Sequence, residues 1–361
     1  MNQTIALKLD TTQEHFDALI ETMESFNAGC NRVAELAFER QSANKIDLQP
    51  FVYGELRERF TLSSQMAIRC IGKACEAYKR DRTIQPTFDP HGAMVYDERI
   101  MNVKDAGHVS LLTLRGRIIV PMRYGPYQAA RLAMQKGQAD LILRGFTFFL
   151  YICIDMPTPP LIKTKGFLGV DLGIVEIASD SQGSQYSGEA VKRVRKSNRE
   201  HRSQLQHKQT HSAKKHLRKI AARQSRFVRN VNHCIAKKLV ETALHLKQTL
   251  ALEDLSGIRA CCTVSKQMRW LLGNWSFHQL AVFVTYKAHM AGLNVVLVDP
   301  RNTSRTCSAC GYCDKKNRKL QAKFECLRCG SIFNADLNAA LNIAARASLS
   351  ERLLSSVVSA S

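Results

Sequence analysis

The stretch GFLGVDLGIVEIAS (residues 166–179) predicts the architecture of the second half of the chain. Phe167 to Asp171 has the apolar character of a buried strand, and the strand ends in an acidic residue. Leu172-Gly173 predicts a turn, and Ile174 to Ser179 predicts a second strand. Further along, residues 249–255 and 293–298 have the same buried-strand character, with helical segments between them. Because strands alternate with helices, we expect an α/β layer with both faces of its sheet covered.

Three acidic residues occupy related positions in these elements. Asp171 and Glu253 lie at strand ends, and Asp336 lies in the first turn of an Ala-rich helix that Asn334 could cap. Burying an unpaired carboxylate is costly, so packing explains these acids poorly. Three carboxylates from separate elements could instead hold two divalent ions about 4 Å apart, an arrangement suited to displacement at phosphorus. Oxygen ligands favour Mg²⁺ or Mn²⁺.

Two other acids near strand ends are given different roles. Asp254 follows Glu253 directly and should point to the opposite face of its strand. Asp299 is followed by Pro300, so a turn cap is the simpler role for it.

Two cysteine pairs predict a zinc ribbon. Cys307-Ser-Ala-Cys310 and Cys326-Leu-Arg-Cys329 are separated by 15 residues, and each pair is followed by a glycine that permits a tight turn. Cys313 has no matching partner and is left out of the ligand set. We expect the remaining cysteines to be small core or surface residues: Cys30, Cys70, Cys75, Cys153, Cys234, Cys261 and Cys262.

The positive charge is concentrated in one segment. The 361 residues include 52 Lys and Arg against 31 Asp and Glu, and residues 192–238 alone contain 16 basic residues and one acid. At the end of this segment and just beyond it, Phe227, Val231, Ile235 and Leu239 recur every four residues, which predicts an amphipathic helix. We favour a helical nucleic-acid-binding element over a passive solvated face. The candidate contact residues are Lys192, Arg193, Arg195, Lys196, Lys214, Lys215, Arg218, Lys219 and Arg223.

The first half of the chain predicts a small β-barrel with a helical insertion. A strand at 4–9 precedes helices at 12–40 and 62–80, joined by a polar stretch at 41–50, and several short strands follow Pro86. We place this domain at 1–160 and the helical insertion at about 11–82, followed by a linker at 161–166. The N-terminus shows no export signal and the longest near-continuous apolar run, Phe146 to Ile154, has nine residues, so we expect a cytoplasmic protein without a membrane span.

Taken together, the motifs of the second half resemble the TnpB family of insertion-sequence-encoded, RuvC-like nucleases related to type V CRISPR effectors. The matching stretches are 169–173, 229–237, 251–259, 275–280, 286–288, 298–307 and 335–343. The resemblance implies a multi-domain α+β and α/β protein, with an N-terminal wedge-like β-barrel and a C-terminal RNase H-like RuvC nuclease domain at 167–346. That domain would contain a basic helical insertion at 190–245 and a zinc ribbon at 303–333, followed by a disordered tail at 347–361.

The resemblance also implies an activity, RNA-guided DNA endonuclease, associated with a transposable element of a prokaryote. Asp171, Glu253 and Asp336 match the family's metal-binding catalytic acids, and the four cysteines match its zinc ribbon. The expected cofactors are Mg²⁺ or Mn²⁺, Zn²⁺ and a guide RNA from the end of the mobile element. The expected target is double-stranded DNA beside a short flanking motif, and no protein partner is required. The candidates for contacting the duplex near that motif are Lys73, Lys79, Arg80 and Arg82.

Two alternatives remain open. One is a transposase that joins DNA strands, although the order Asp, Glu, Asp with a ribbon before the last acid favours RuvC-like hydrolysis. The other is a nuclease-inactive or weakly active RNA-guided DNA-binding regulator, which the intact acids argue against.

Overall fold

The computed structural model describes residues 2–104, 107–134, 136–255 and 276–358. Cys261, Cys262 and parts of two family motifs therefore lie outside the described residues. The chain divides into two compact units, Met1–Pro157 and Thr158–Ser361, close to the predicted boundary at 160. The segment expected to be a linker is bonded to the second unit, since Ile162 N donates to Gly292 O and Lys165 N donates to Lys247 O. None of the helices in the described ranges combines the length and the apolar character needed to cross a membrane.

The first unit is a seven-stranded antiparallel sheet with helices inserted after its first strand. The strand order is β2-β6-β7-β1-β5-β4-β3. The two edge strands, β2 and β3, are consecutive in the chain, and Tyr96 Oη on β2 donates to Leu112 O on β4 at 3.0 Å. The sheet is therefore nearly closed, in agreement with the predicted barrel. Its elements are β1 (Asn2–Leu9), α1 (Gln13–Glu39), α2 (Lys45–Glu58), α3 (Ser64–Arg80), β2 (Met94–Tyr96), β3 (Met101–Val103), β4 (His108–Thr113), β5 (Gly116–Arg123), α4 (Pro126–Leu132), β6 (Lys136–Arg144) and β7 (Thr147–Asp155).

The polar stretch expected between the two long helices is largely helical. Helix α2 begins after Asn44, whose side chain accepts a hydrogen bond from Ile46 N at 3.1 Å. Leu48, Val52 and Leu56 recur every four residues along this helix and are fully buried. Burial of this apolar stripe outweighs the backbone hydrogen bond lost at Pro50, so the connection between the two long helices contains a helix of its own.

The second unit is built on a five-stranded mixed sheet of order β10-β9-β8-β11-β12. Strands β8, β11 and β12 are parallel, while β9 and β10 run antiparallel to their neighbours. A separate hairpin, β13-β14, belongs to the segment that carries the cysteine pairs. The elements are β8 (Phe167–Asp171), β9 (Glu176–Asp180), β10 (Gln185–Ser187), α5 (Glu189–Lys208), α6 (His211–Leu246), β11 (Thr249–Glu253), α7 (Phe277–Met290), β12 (Val295–Val298), β13 (Lys323–Glu325), β14 (Ile332–Asn334) and α8 (Ala335–Val358).

Helices cover both faces of this sheet, as the sequence predicts. On one face, Val170 and Leu252 pack with Leu239 of α6 and Val284 of α7. On the other face, a smaller cluster joins the sheet to α8 and contains Phe167, Ala251, Val298, Ile343 and Ala347.

Helix α8 continues to Val358, where a disordered tail from residue 347 was expected. Ile343 and Ala347 are fully buried against the sheet, and this contact anchors the helix up to the point where disorder was expected to begin. Once a helix is anchored, each added residue gains a backbone hydrogen bond at little further cost.

Helix α8 approaches β8 very closely at Gly169. A Cβ added to this glycine would lie 2.0 Å from Ala340 O and 2.6 Å from Ala344 N. Both are backbone atoms of α8, so no side-chain rotation can make room. The glycine of the Gly169-Val-Asp motif is therefore required for the helix to lie against the strand.

We predict that Gly169→Ala destabilises the protein by about 3 kcal/mol or more, because α8 must move away from the sheet. Urea unfolding measures this change. Gly54→Ala is the matched control, since Gly54 lies within α2 and has no atom within 4 Å of the added Cβ. We expect that control to be neutral or up to about 1 kcal/mol more stable. An equally stable Gly169→Ala protein would contradict the close packing.

Candidate catalytic and zinc sites

Three acidic side chains converge at one edge of the second unit. In the register of β8 and β11, Gly169 pairs with Ala251 and Val170 with Leu252, so Asp171 and Glu253 follow at the carboxyl ends of neighbouring parallel strands. Gly169 and Ala251 lie on the face covered by α8, and side chains two residues further along point to the same face.

Asp336 approaches from the first turn of α8. The helix is capped as the sequence predicts, because Asn334 Oδ1 accepts hydrogen bonds from Asp336 N at 2.9 Å and from Leu337 N at 3.1 Å. The close contact at Gly169 holds α8 against β8, and the start of the helix therefore lies beside the end of the strand.

Asp171 has the most perturbed environment of the three acids. Burial raises its pKa to about 8, and the negative charges of Glu253 and Asp336 add to this effect. The Arg318 guanidinium and the backbone N–H of Leu172 oppose it. Asp171 is partly buried, and a partly buried carboxylate close to two others is a site that a bound cation would stabilise.

Glu253 is 9% exposed, and burial raises the pKa of its carboxyl group. The hydroxyl of Thr303 opposes this shift by donating a hydrogen bond to Glu253 Oε1 at 2.6 Å. The positive charge of Arg346 acts in the same direction as Thr303.

Asp336 pairs with Arg318, a residue that the sequence did not single out. Arg318 Nη2 lies 3.1 Å from Asp336 Oδ1 and also donates to Gln321 O at 2.8 Å. The two residues are 18 positions apart, and only the folded cysteine-bearing segment brings them together. One arginine among the many basic residues of this chain offers no sequence signal that could have identified the pair.

The two acids excluded at the sequence level are not part of this cluster. The side chain of Asp254 is exposed. Asp299 Oδ1 accepts a hydrogen bond from Arg301 N at 2.9 Å, so the predicted turn cap is confirmed.

The four cysteines of the predicted ribbon form one compact group. Their sulfur atoms all lie within 4.8 Å of one another, with 3.7 Å between Cys307 and Cys329 and 3.6 Å between Cys310 and Cys326. Four thiolates bound tetrahedrally to zinc at about 2.3 Å would be roughly 3.8 Å apart. The spacing therefore fits Zn²⁺, and Cys313 does not belong to the group.

Local turns prepare these cysteines for metal binding. Gly311 and Gly330 have positive φ angles of 75° and 74°, and each N–H donates back to the first cysteine of its pair at 2.9 Å. The Ser331 hydroxyl, 3.2 Å from Cys329 Sγ, lowers the pKa of this thiol to about 6 with help from the Ser331 N–H and the neighbouring thiols. A thiolate is the form that binds zinc.

Most of the predicted nucleic-acid contacts lie on the solvent side of the α5–α6 hairpin. Asn198 Nδ2 of α5 donates to Gln224 Oε1 of α6 at 2.9 Å, and the apolar stripe of α6 packs on the sheet. Arg195 is the exception at 7% exposure, because it lies one turn after the buried Val191. The exposed candidates are Lys192, Arg193, Lys196, Lys214, Lys215, Arg218, Lys219 and Arg223.

Of the candidates in the first unit, Lys73 and Lys79 have different environments. Lys79 is exposed. The Lys73 ammonium donates to Asn27 Oδ1 at 2.8 Å and to Ala93 O, and it lies 4.9 Å from the centre of the Phe88 ring. Burial lowers the pKa of Lys73. These internal contacts assign Lys73 to the stability of the first unit and argue against the predicted contact with DNA.

We predict that the double variant Cys326→Ser, Cys329→Ser loses about one zinc ion per chain, as measured by elemental analysis. Structural zinc contributes directly to folding, so the variant should also unfold at a lower temperature. Cys313→Ser is the matched control and should keep both zinc content and stability. A double variant with full zinc content would show that other residues bind the metal.

A second prediction concerns the stability of zinc-loaded protein without added Mg²⁺ or Mn²⁺. The folded state keeps the Asp171 proton up to about pH 8, whereas the unfolded chain releases it near the ordinary pKa of 3.8. The folded protein should therefore lose stability as the pH rises from 4 to 8. Asp171→Asn removes this loss and should be more stable at pH 8, by about 1–3 kcal/mol.

Urea unfolding at several pH values measures this difference. The advantage of Asp171→Asn should shrink toward pH 4, while Asp299→Asn, at an exposed turn, should show no such trend. An advantage that does not change with pH would disagree with a perturbed carboxyl at position 171.

Two family models match the second half of the chain. Residues 151–259 match the OrfB_IS605 family, described as "Probable transposase", and residues 277–343 match the family described as "Cas12f1-like, TNB domain". The second match contains the four cysteines and Asp336, and the first contains Asp171 and Glu253.

Two curated relatives and one solved structure have related sequences or folds. The CRISPR-associated endodeoxyribonuclease Cas12f1 of Syntrophomonas palmitatica is 35% identical over 182 residues, which cover 45% of this chain and 35% of that protein. The TnpB-like protein MJ0751 of Methanocaldococcus jannaschii is 35% identical over 128 residues, covering 35% of this chain and 45% of that protein. The structure of the mini-RNA-guided endonuclease CRISPR-Cas_phi3 has a TM-score of 0.57 at 9% identity and covers 96% of this chain and 92% of its own.

The alignments to these two relatives span less than half of each relative's length. The solved structure, at 9% identity, shows that the fold is shared. The adjacent matches to the two family models run through the residues that build the candidate sites. By these matches, the second half of the chain is similar to the OrfB_IS605 family, to the Cas12f1-like TNB domain and to a TnpB-like protein.

Proposed function

We propose that this protein is an RNA-guided DNA endonuclease that hydrolyses target DNA with divalent ions held by Asp171, Glu253 and Asp336. The observation that carries the proposal is the convergence of these acids, which together with burial raises the pKa of Asp171 to about 8. The five-stranded sheet, with two of the acids at the ends of neighbouring strands, supports an RNase H-like RuvC nuclease domain.

The donor set fits Mg²⁺ or Mn²⁺, since every candidate ligand is a carboxylate oxygen; Glu253 is buried and Asp171 is partly buried. When bound, a pair of such ions supplies an activated water and neutralises charge on the phosphate and the leaving oxygen. The protein's own part is to bring the three carboxylates together from two strand ends and one helix start.

Arg318 extends this site toward the substrate. Its guanidinium pairs with Asp336, and its charge also reaches Asp171. We assign it to the phosphate beside the cut, because a planar guanidinium can bond a carboxylate and a phosphate oxygen at the same time.

The basic hairpin α5–α6 supplies sequence-independent affinity for nucleic acid. Its exposed Lys and Arg side chains would contact phosphates of the guide and the target, in a salt-sensitive manner. Base recognition would be delegated to pairing with the guide RNA.

The names of two similar proteins support the proposed endonuclease activity. The S. palmitatica relative is an endodeoxyribonuclease, and the structural neighbour is an RNA-guided endonuclease. In the first unit, Lys79 remains a candidate for contacting duplex DNA beside the flanking motif.

The family description "Probable transposase" favours a second candidate, a DNA strand-transfer enzyme. The two activities differ in their products. Hydrolysis leaves free DNA ends, whereas strand transfer joins element-end DNA to a target, and joined products on a sequencing gel would favour this alternative.

The proposed function is tested with the guide that the protein itself carries. Sequencing the RNA that copurifies with the full chain should give a discrete species with a constant part and a variable end. A plasmid that matches the variable end should then be cut in Mg²⁺, and a mismatched plasmid should not. Binding without cutting would favour the regulator instead.

We predict that Asp171→Ala, Glu253→Ala and Asp336→Ala each lower the cleavage rate by roughly 10³-fold or more, because the acids act as one unit. Binding of guide and target should persist, since removing a carboxylate relieves repulsion of the phosphates. Asp299→Ala is the matched control and should cut normally. If Asp336→Ala cut normally while Asp299→Ala did not, the third acid would be misassigned.

A further inference from the structure

The 299–308 loop, which leads from β12 into the first cysteine pair, is fixed along one side of α8. Asn342 Nδ2 donates to Thr303 O at 2.8 Å and to Thr306 O at 2.7 Å. One turn earlier, Asn338 donates to Thr306 O at 2.8 Å and accepts from Ser308 N at 3.0 Å. One turn later, Arg346 Nη1 donates to Arg301 O at 2.8 Å.

These three side chains are four residues apart and therefore share one face of the helix. They bond backbone atoms of the loop, so they fix its path whatever side chains the loop carries. Asn338 is fully buried, and breaking such bonds would leave buried polar groups unpaired. The loop therefore has one well-defined position relative to the start of α8 and to Asp336.

That position brings the Thr303 hydroxyl to Glu253. Thr303 is 3% exposed, and its Oγ1 lies 2.6 Å from Glu253 Oε1 and 3.0 Å from Pro300 O. A hydroxyl has one proton, and both neighbours are acceptors. The carboxylate is the closer and the charged partner, so it receives the proton.

Resting on the proposed function, we propose that Thr303 is a positioning residue for the catalytic metal site, acting through Glu253. Its hydroxyl occupies one lone pair of Oε1 and fixes the orientation of the carboxylate. The second oxygen, Oε2, would then be available to a divalent cation. A glutamate without this contact must be ordered by the metal itself, and the loss of side-chain freedom then weakens metal binding.

The same loop contains a threonine that shows the ordinary structural use of such a hydroxyl. Thr306 Oγ1 donates to Asn302 O at 2.9 Å, a backbone contact within one turn. A threonine hydroxyl that only stabilises the loop needs no more than a nearby backbone carbonyl of this kind. Thr303 also has such a carbonyl nearby, Pro300 O. The hydrogen bond from Thr303 to a buried acid 50 residues away serves Glu253 instead.

The experiment compares Mn²⁺ binding by the full chain and its guide RNA, measured by electron paramagnetic resonance, in four proteins. Thr303→Val keeps the shape of the side chain and removes the hydroxyl, and it should bind Mn²⁺ about 10- to 100-fold more weakly. Thr303→Ser keeps the hydroxyl and should bind within about threefold of wild type. Thr306→Val makes the same chemical change in the same loop and should bind like wild type.

Thermal unfolding without added Mg²⁺ or Mn²⁺ separates positioning from folding. A purely structural role would lower the unfolding temperature of Thr303→Val and leave the Mn²⁺ affinity of the folded protein unchanged, which would overturn the inference. If Thr303→Val does not fold, Thr303→Cys replaces it in the experiment, because cysteine keeps a similar side-chain volume and has only a weak S–H donor. Its Mn²⁺ affinity should be lower than that of wild type, but by less than the 10- to 100-fold loss expected when Glu253 receives no hydrogen bond from residue 303. Wild-type affinity in Thr303→Cys would equally overturn it.

Cleavage gives an independent reading. The Mg²⁺ concentration needed for half-maximal cleavage should rise in Thr303→Val, and saturating Mg²⁺ should restore most of the rate. A wild-type protein that neither binds Mn²⁺ nor cuts would refute the proposed function itself. A wild type that does both, alongside an unaffected Thr303→Val, would refute only the role of Thr303.

Discussion

Helix α8 lies against β8 so closely that its backbone occupies the space of a side chain at Gly169. The site depends on this contact. The contact fixes the position of the first turn of α8 relative to the sheet. It therefore also fixes how close Asp336 lies to the strand ends that carry Asp171 and Glu253. Ile343 and Ala347 hold the rest of the helix on the same face of the sheet. A bulkier residue at 169 would move the helix and separate the third acid from the other two.

Three acids brought together in this way repel one another, and the groups that balance them come from one part of the chain. Arg318 pairs with Asp336, Thr303 donates to Glu253, and the positive charge of Arg346 opposes the rise in the pKa of Glu253 that burial causes. Two of these, Thr303 and Arg318, lie between β12 and α8, in the segment that also carries the cysteine pairs. Metal binding contributes free energy of folding to such small domains, so a zinc-bound ribbon would stabilise the surroundings of the acids as well as itself.

The basic residues illustrate how charge alone can mislead. Arg195 lies within the most basic segment of the chain but is buried one turn after Val191. Lys73 lies on a helix with a basic C-terminal turn, and its ammonium donates hydrogen bonds to Asn27 Oδ1 and Ala93 O within the first unit. A long cationic side chain can satisfy its charge internally wherever backbone carbonyls and aromatic rings surround it. Counts of Lys and Arg identify a region that can bind polyanions, whereas exposure selects the residues within it.

The sequence by itself determined the features that depend on local pattern. Apolar runs predicted the strands β8, β11 and β12, and the four-residue apolar spacing predicted α6. Paired cysteines at fixed spacing predicted the ribbon group, and Asn334 predicted the cap of α8. Strand-end positions singled out Asp171 and Glu253. Each of these signals lies within a short window, where periodicity and turn chemistry act directly.

Only the tertiary structure decided which groups meet across the chain. Arg318 and Asp336 are 18 residues apart, and Thr303 and Glu253 are 50 residues apart. Neither pair has a spacing that a helix or a strand would bring together. Residues 45–50 of the polar stretch became part of α2 because Leu48, together with Val52 and Leu56 further along the helix, is buried in a core. The Lys73 ammonium lies inside the first unit because carbonyl and aromatic groups surround it. Such outcomes depend on burial and on contacts between distant segments, and these exist only once the chain has folded.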